Sequence, residues 1–206
     1  MTHKSENLNR ILPEKKDGII SSVVVLPDKL EFETQNPNER VFIMLRRHFI
    51  TNFGWLFTFI ISCLVPVLIY FLLNKVNINI LEDLSLKRSY IDAILMMWYL
   101  FVLTNALMKF LDWYFNIYVI TNERVIDFDF NPFAYHKISE ASLDNIVDAT
   151  QESIGFFPML FNYGDVYIQT AGEKREFDFL SVSKPAWVRD KIMDLRDMIV
   201  KKPHQI

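Results

Sequence analysis

The chain has a single cysteine, Cys63, and only five glycines among its 206 residues. One thiol excludes an intramolecular disulfide and a thiolate metal cluster. The glycines are too few for a phosphate-cradling loop, and no GxSxG nucleophile motif occurs. The four histidines, His3, His48, His136 and His204, lack ligand spacing of the HExxH kind. Neither a metal nor any other cofactor is therefore expected. An excess of positive charge is also missing: residues 112–202 hold ten Lys and Arg against fifteen Asp and Glu. Nucleic-acid binding relies on clustered cations that release counterions, so it is excluded as a function.

Charge is absent altogether between Phe49 and Asn74, FITNFGWLFTFIISCLVPVLIYFLLN. A bilayer core needs about 20 apolar helical residues, whereas a buried helix of a soluble domain keeps a polar face. A second apolar segment, Ile91–Leu111, carries charge only near its ends, at Asp92 and Lys109. The composition, 51% hydrophobic with mean hydropathy +0.14, suits two spans plus one folded domain. The expected organisation is an N-terminal cytoplasmic segment at 1–48, a transmembrane hairpin at 49–111 with helices at about 50–73 and 91–111, and a domain at 112–202. The first twenty residues lack the apolar core of a cleavable signal, so the first span is expected to act as an uncleaved insertion signal.

Arg40, Arg46, Arg47, Lys109 and Arg124 flank the hairpin, against Lys75, Lys87 and Arg88 in the loop Lys75–Tyr90. This bias places both termini in the cytoplasm and the protein in the cell membrane as a two-span, multi-pass chain. Arg46, Arg47, Lys109 and Trp113 are the expected membrane-interface residues. Trp55 and Trp98 fit either the interface or the hydrocarbon. Thr58, Ser62 and Pro66 recur every fourth residue on one helix face, where small or polar side chains favour close packing. Thr58 and Asn105 are expected at similar depth, facing each other; the alternative is that Asn105 is merely tolerated near the interface. No acid or base lies at mid-depth, so the pair alone does not line a polar conduit.

Beyond the second apolar segment the pattern alternates. Trp113–Thr121 is β-branched and aromatic, and Val125–Phe130 puts Ile126, Phe128 and Phe130 on one face and Asp127 and Asp129 on the other. The two aspartates read as a solvated face. Further strands are expected at Tyr135–Leu143, Ile146–Gln151, Asp165–Thr170 and Arg175–Val182, punctuated by Gly155, Gly164 and Gly172. Pro185 suits the first turn of a last helix whose apolar stripe is Val188, Ile192, Leu195 and Ile199. In the tail, Ile19–Leu26 fits a strand packed on the domain or an extended piece at the membrane surface, and Asn36-Pro37-Asn38 reads as a turn. The fold class is α+β: a transmembrane helical hairpin followed by a bent antiparallel sheet or partial barrel capped by a C-terminal helix.

Four segments in this order, NERVFIMLRRH, WYFNIYVITNERVIDF, LDNIVDATQ and GFFPMLFNYGDVYIQTAG before KPAWV, resemble the bacterial pleckstrin-homology-like membrane proteins, the YdbS-like family. The resemblance covers residues 30–200. It implies a membrane-tethered pleckstrin-homology-like (PH-like) fold without established catalytic residues. Phosphoinositide-binding PH domains use a basic cluster on the first hairpin. Here that hairpin reads TNERVIDFD, with Arg124 flanked by Glu123, Asp127 and Asp129, a departure that weighs against headgroup recognition.

The expected function is a non-enzymatic scaffold or regulatory interaction module, integral to the lipid bilayer, with a protein partner or a second copy of itself. The alternatives are a peripheral anionic-lipid sensor and an accessory subunit of a membrane enzyme or transporter. Phe156, Phe157 and Phe161 in the apolar run GFFPMLF are the candidate partner patch if exposed; folded inward, they close one mouth of the sheet.

Overall fold

Residues 22–27, 32, 34–75, 88–131, 135–172 and 176–200 are described in the computed structural model of the chain. The polar start of the tail, the loop after Lys75 and the residues after Val200 lie outside the described residues. The chain divides into two units: Asn52–Asp112, and a second built from Met1–Thr51 together with Trp113–Ile206.

The first unit is a helical pair. α1 spans Phe53–Lys75, and α2, Arg88–Phe115, runs on into the second unit. α2 exceeds the apolar stretch at both ends because neither flank holds a glycine or proline. Both helices are long and apolar enough to cross a membrane, and α1 has no buried residue. Pro66 sits inside α1 and has no N–H to give, so the carbonyl four residues back, that of Ser62, loses its helical donor. The indole N–H of Trp98 on α2 donates to the Ser62 carbonyl at 3.0 Å, and the Tyr99 hydroxyl donates to the Cys63 carbonyl at 3.3 Å. The Trp98 contact between the helices thus reaches a carbonyl that the proline has freed.

The second unit is α+β. β1 (Val23–Val25), β2 (Val41–Arg46), β3 (Ile117–Thr121), β4 (Arg124–Asn131) and β5 (Tyr135–Ser142) form one antiparallel sheet in that order. β6 (Ile146–Glu152), β7 (Tyr163–Thr170) and β8 (Glu176–Ser183) form a second. A short helix, α3 (Phe156–Phe161), joins β6 to β7, and α4 (Pro185–Val200) follows β8.

The separation of residues 1–48 from the domain at 112–202 needs correction. The stretch before the hairpin is part of the domain: β2 pairs with β3 from Val41↔Thr121 to Arg46↔Ile117, and β1 adds to β2. All six residues of β2, VFIMLR, are buried, with Ile43 and Leu45 in the main core and Val41 and Met44 in a smaller cluster. A strand covered on both faces cannot leave its backbone unpaired. The helical pair is therefore an insertion between neighbouring strands, and the chain leaves the sheet after β2 and returns to it as β3.

The sheets meet through a bridge between Arg47 and Val182 and through a bulge in β8. There Ser181 has φ +53°, and the N–H groups of Leu180 and Ser181 donate to Tyr118 Oη (3.0 Å) and Asp165 Oδ1 (2.6 Å). The main core holds Tyr118, Ile120, Val125, Val166, Ile168 and Phe179, closed by Val188, Ile192 and Leu195 of the α4 stripe.

Candidate functional site

Register explains where the polar residues of the sheet gather. Val125 pairs with Ala141, Asp127 with Ser139 and Asp129 with Lys137, so this face of β4 and β5 changes from apolar to charged along its length. Where the face turns polar, a cleft of about 360 Å³ opens, lined on the other side by Phe177, Asp178 and Leu180 of β8. Arg47, Asn116 and Tyr118 complete its lining. The Asp127 face therefore continues the inner face of the sheet and is not the solvated outer side expected from alternation. Ile126 and Phe128 do pack, in the smaller cluster on the opposite side, with Phe32 against Phe128 at 5.9 Å. Both faces of β4 are covered, which a period-two pattern of aspartate and phenylalanine does not reveal.

Burial, reinforced by the neighbouring charge of Asp129, pushes the Asp127 carboxyl up from 3.8 to about 6. The cations Arg47 and Lys137 pull the other way without cancelling it. Tyr118 at the back of the cleft is 3% exposed, stacks on Phe179 at 4.5 Å, and has its hydroxyl pushed above the usual phenol range by burial. Asn116, also buried, accepts the Phe130 N–H on its Oδ1 at 2.5 Å. The cleft is rigidly backed and mixed in charge. Around neutral pH it presents three carboxylates, Asp127, Asp129 and Asp178, with two cations, Arg47 and Lys137.

Arg124, the cation of the β3–β4 hairpin, is committed to the fold. Its Nε donates to Glu39 Oε1 (3.0 Å), its Nη2 to Glu39 Oε2 (2.9 Å) and to the Thr34 carbonyl (2.6 Å), and its Nη1 to Glu140 Oε2 (2.5 Å). Glu39 is 4% exposed. Burial alone would raise its carboxyl, but Arg124, the Asn36 N–H and the Thr121 hydroxyl outweigh burial and hold it below the usual range. The guanidinium clamps the pre-hairpin segment to the sheet and has little left for a lipid phosphate.

The residues singled out from sequence fall in several environments. Arg46 is buried with its guanidinium 4.5 Å above the Tyr114 ring, and Arg47 lines the cleft. Trp113, expected at a membrane interface, is 4% exposed, and its indole N–H donates to the Arg47 carbonyl at 2.9 Å. Lys109 is exposed on α2. Thr58 and Asn105, expected to face each other, each bond a carbonyl of their own helix, Gly54 at 2.9 Å and Phe101 at 2.8 Å. Ser62 takes part in the helix pair through its carbonyl. Phe156, Phe157 and Phe161 project from α3 and are exposed. The cleft itself escaped the sequence reading; the only signal for it was the pair of aspartates on a strand otherwise rich in apolar residues.

No family model matches the chain, and no curated protein matches it. Among solved structures, the chain is similar to a DUF1696 family protein with a pleckstrin-homology domain from Shewanella loihica PV-4. The identity is 19% and the TM-score 0.31, over 39% of this chain and 70% of that one.

Proposed function

We propose that the chain is an integral membrane protein of the cell membrane whose second unit is a PH-like module that binds a protein partner without catalysing a reaction. The two apolar helices support membrane insertion. Five strands, β1 to β5, in one antiparallel sheet, three in another and a closing helix support the PH-like reading, with the helical pair inserted between β2 and β3. Two spans return the chain to the side it left, so both strands that flank the hairpin stand on one side of the bilayer, the cytoplasmic side by the arginine bias.

The observation that carries the binding function is the charged cleft. Three carboxylates against two cations repel an anionic headgroup and favour a polypeptide segment bearing a basic residue. Because Arg124 is spent on Glu39 and Glu140, a peripheral anionic-lipid sensor is the poorer reading. Among the described residues the lining holds neither histidine nor cysteine, so the cleft has no thiol nucleophile and no imidazole base.

A photo-crosslinking side chain at Ser139, on the full-length protein in native membranes, tests this. The expected result is one discrete protein adduct that disappears on Asp178→Arg and is absent when the probe sits at Asp194 on the exposed side of α4. Identical adducts from Ser139 and Asp194, or none from Ser139, would contradict the reading.

A further inference from the structure

The apolar run after β6 does not fold inward. From Ser153 to Gly164 the chain carries no charge, and Ile154 (74% exposed), Phe156 (73%), Phe157 (60%), Met159 (72%) and Leu160 (61%) all stand in the open. The run is nonetheless a built element. Gly155 enters it at φ +109°, and Asn162 ends the helix in the left-handed region, its N–H on the Pro158 carbonyl. The Lys184 N–H then holds the Asn162 carbonyl at 2.9 Å. Gly164 has no room for a side chain, because a Cβ there would strike the Glu152 carbonyl and Ser153 Oγ. The scaffold therefore pins both ends of a hexapeptide helix and offers its greasy surface no partner among the described residues.

Its place in the domain identifies the partner. Tyr163, the first residue after α3 and Asn162, stacks on His48 with ring centroids 5.1 Å apart and planes at 17°. His48 is fixed in turn by its N–H on the Ser181 carbonyl, and it accepts the Ile50 N–H on Nδ1 at 3.2 Å. The next residue, Phe49, is itself 55% exposed and begins the 27-residue apolar stretch long enough to span a bilayer. The end of the domain that carries α3 is thus the end from which the first span departs.

We infer that α3 is a membrane-inserting wedge, its phenylalanines, methionine and leucine lying in the bilayer interface beside the start of the first span. The occupant is the uncharged part of the lipid, since the run has no cation to seek anionic headgroups. Tethering by the hairpin puts this surface next to lipid without any free binding step. The wedge gives the module a second point of attachment to the lipid besides the hairpin.

The inference rests on the reading of Phe49–Lys75 as a span, and the test separates the two. In the full-length protein with Cys63→Ser, single cysteines at Met159, at Asp190 on α4 and at Leu64 in α1 receive an environment-sensitive fluorophore. The protein is placed in liposomes of zwitterionic lipid at low protein density. The Leu64→Cys label reports the span: strong quenching by lipid-borne nitroxide there is the control. The Met159→Cys label is expected to sit about 5–10 Å into the interface. It should be quenched by shallow nitroxide lipids, clearly shielded from aqueous iodide relative to Asp190→Cys, and unchanged by salt or by anionic lipid. Equal iodide quenching at Met159 and Asp190, with the span label buried, overturns the wedge alone. Shielding that vanishes on dilution assigns the patch to a second copy of the chain and also overturns it. A Leu64 label open to iodide removes the span and the wedge together.

Discussion

Replacing Arg124 by alanine removes the cation that neutralises a buried carboxylate, and the cost can be worked from the contacts. Glu39 accepts four hydrogen bonds, two from Arg124, one from the Thr121 hydroxyl (2.8 Å) and one from the Asn36 N–H (3.0 Å). Arg124→Ala takes away two of these and the opposing charge. Leaving one partner of such a pair behind costs about 3–5 kcal/mol. The carboxyl can escape by binding a proton, which at pH 7 costs about 3–4 kcal/mol for an ordinary glutamate and so caps the loss near that figure. The expected destabilisation is about 3 kcal/mol, a fall in Tm of roughly 15 °C for a domain of about 100 residues. Thermal unfolding of the full-length protein in mild detergent, followed by near-ultraviolet circular dichroism, measures it. Two signatures distinguish this cause from general damage. At pH 4.5 Glu39 protonates cheaply, so the loss shrinks to about 1 kcal/mol. In a Glu39→Gln background Arg124→Ala should cost at least about 1.5 kcal/mol less than alone, because contacting residues are non-additive. A fall below roughly 4 °C at pH 7, or an equal fall at both pH values, would refute the clamp and with it the attachment of the pre-hairpin segment to the sheet.

Trp98→Phe should weaken the helical pair by about 1 kcal/mol, read by denaturation in mixed micelles, since it strips the donor from the Ser62 carbonyl. In a Pro66→Ala background the restored N–H fills that carbonyl and the same substitution should cost much less; equal costs would contradict the assignment. For Asp127 the folded protein holds its proton up to about pH 6 while the unfolded chain releases it near 3.8. Stability therefore falls as pH rises through that window and is flat above it. The displacement corresponds to about 3 kcal/mol in a dry site, which partial exposure screens to on the order of 1 kcal/mol. Asp127→Asn should gain that amount at pH 7 relative to the parent and nothing at pH 3.5, measured by urea unfolding at each pH. Gly164→Ala should destabilise the domain by about 1–3 kcal/mol, because the new Cβ meets backbone and Ser153 Oγ and neither β6 nor β7 can yield; a Tm unchanged by the substitution would refute that packing.

What was legible in the sequence is what periodicity and uninterrupted hydrophobicity encode. The two long apolar helices, most strands after the hairpin and the α4 stripe through Val188, Ile192 and Leu195 follow directly from residue spacing. Pairing is another matter. β2 joins β3 across an insertion, and VFIMLR before a long apolar helix looks the same whether it pairs or leads into that helix. The arginines at its end make contacts that composition does not reveal: Arg46 stacks on Tyr114 and Arg47 faces the cleft. Alternation in β4 correctly separates Ile126 and Phe128 from Asp127 and Asp129, but assigns inside and outside wrongly, since the sheet buries both sides. GFFPMLF carries no period of its own, so its helical form and its exposure come from the fixed ends at Gly155 and Asn162 rather than from its side chains.

Two long apolar helices, proposed to cross the membrane, are inserted between adjacent strands of one domain. Labelling by a membrane-impermeant maleimide in sealed inside-out vesicles tests this arrangement most directly, with single cysteines at Asn38, Ser85 and Asp190 in a Cys63→Ser chain. Asn38→Cys and Asp190→Cys are expected to react from outside the inverted vesicles and Ser85→Cys only after permeabilisation. Equal reactivity at all three sites, or Asn38→Cys and Asp190→Cys on opposite sides, would contradict it.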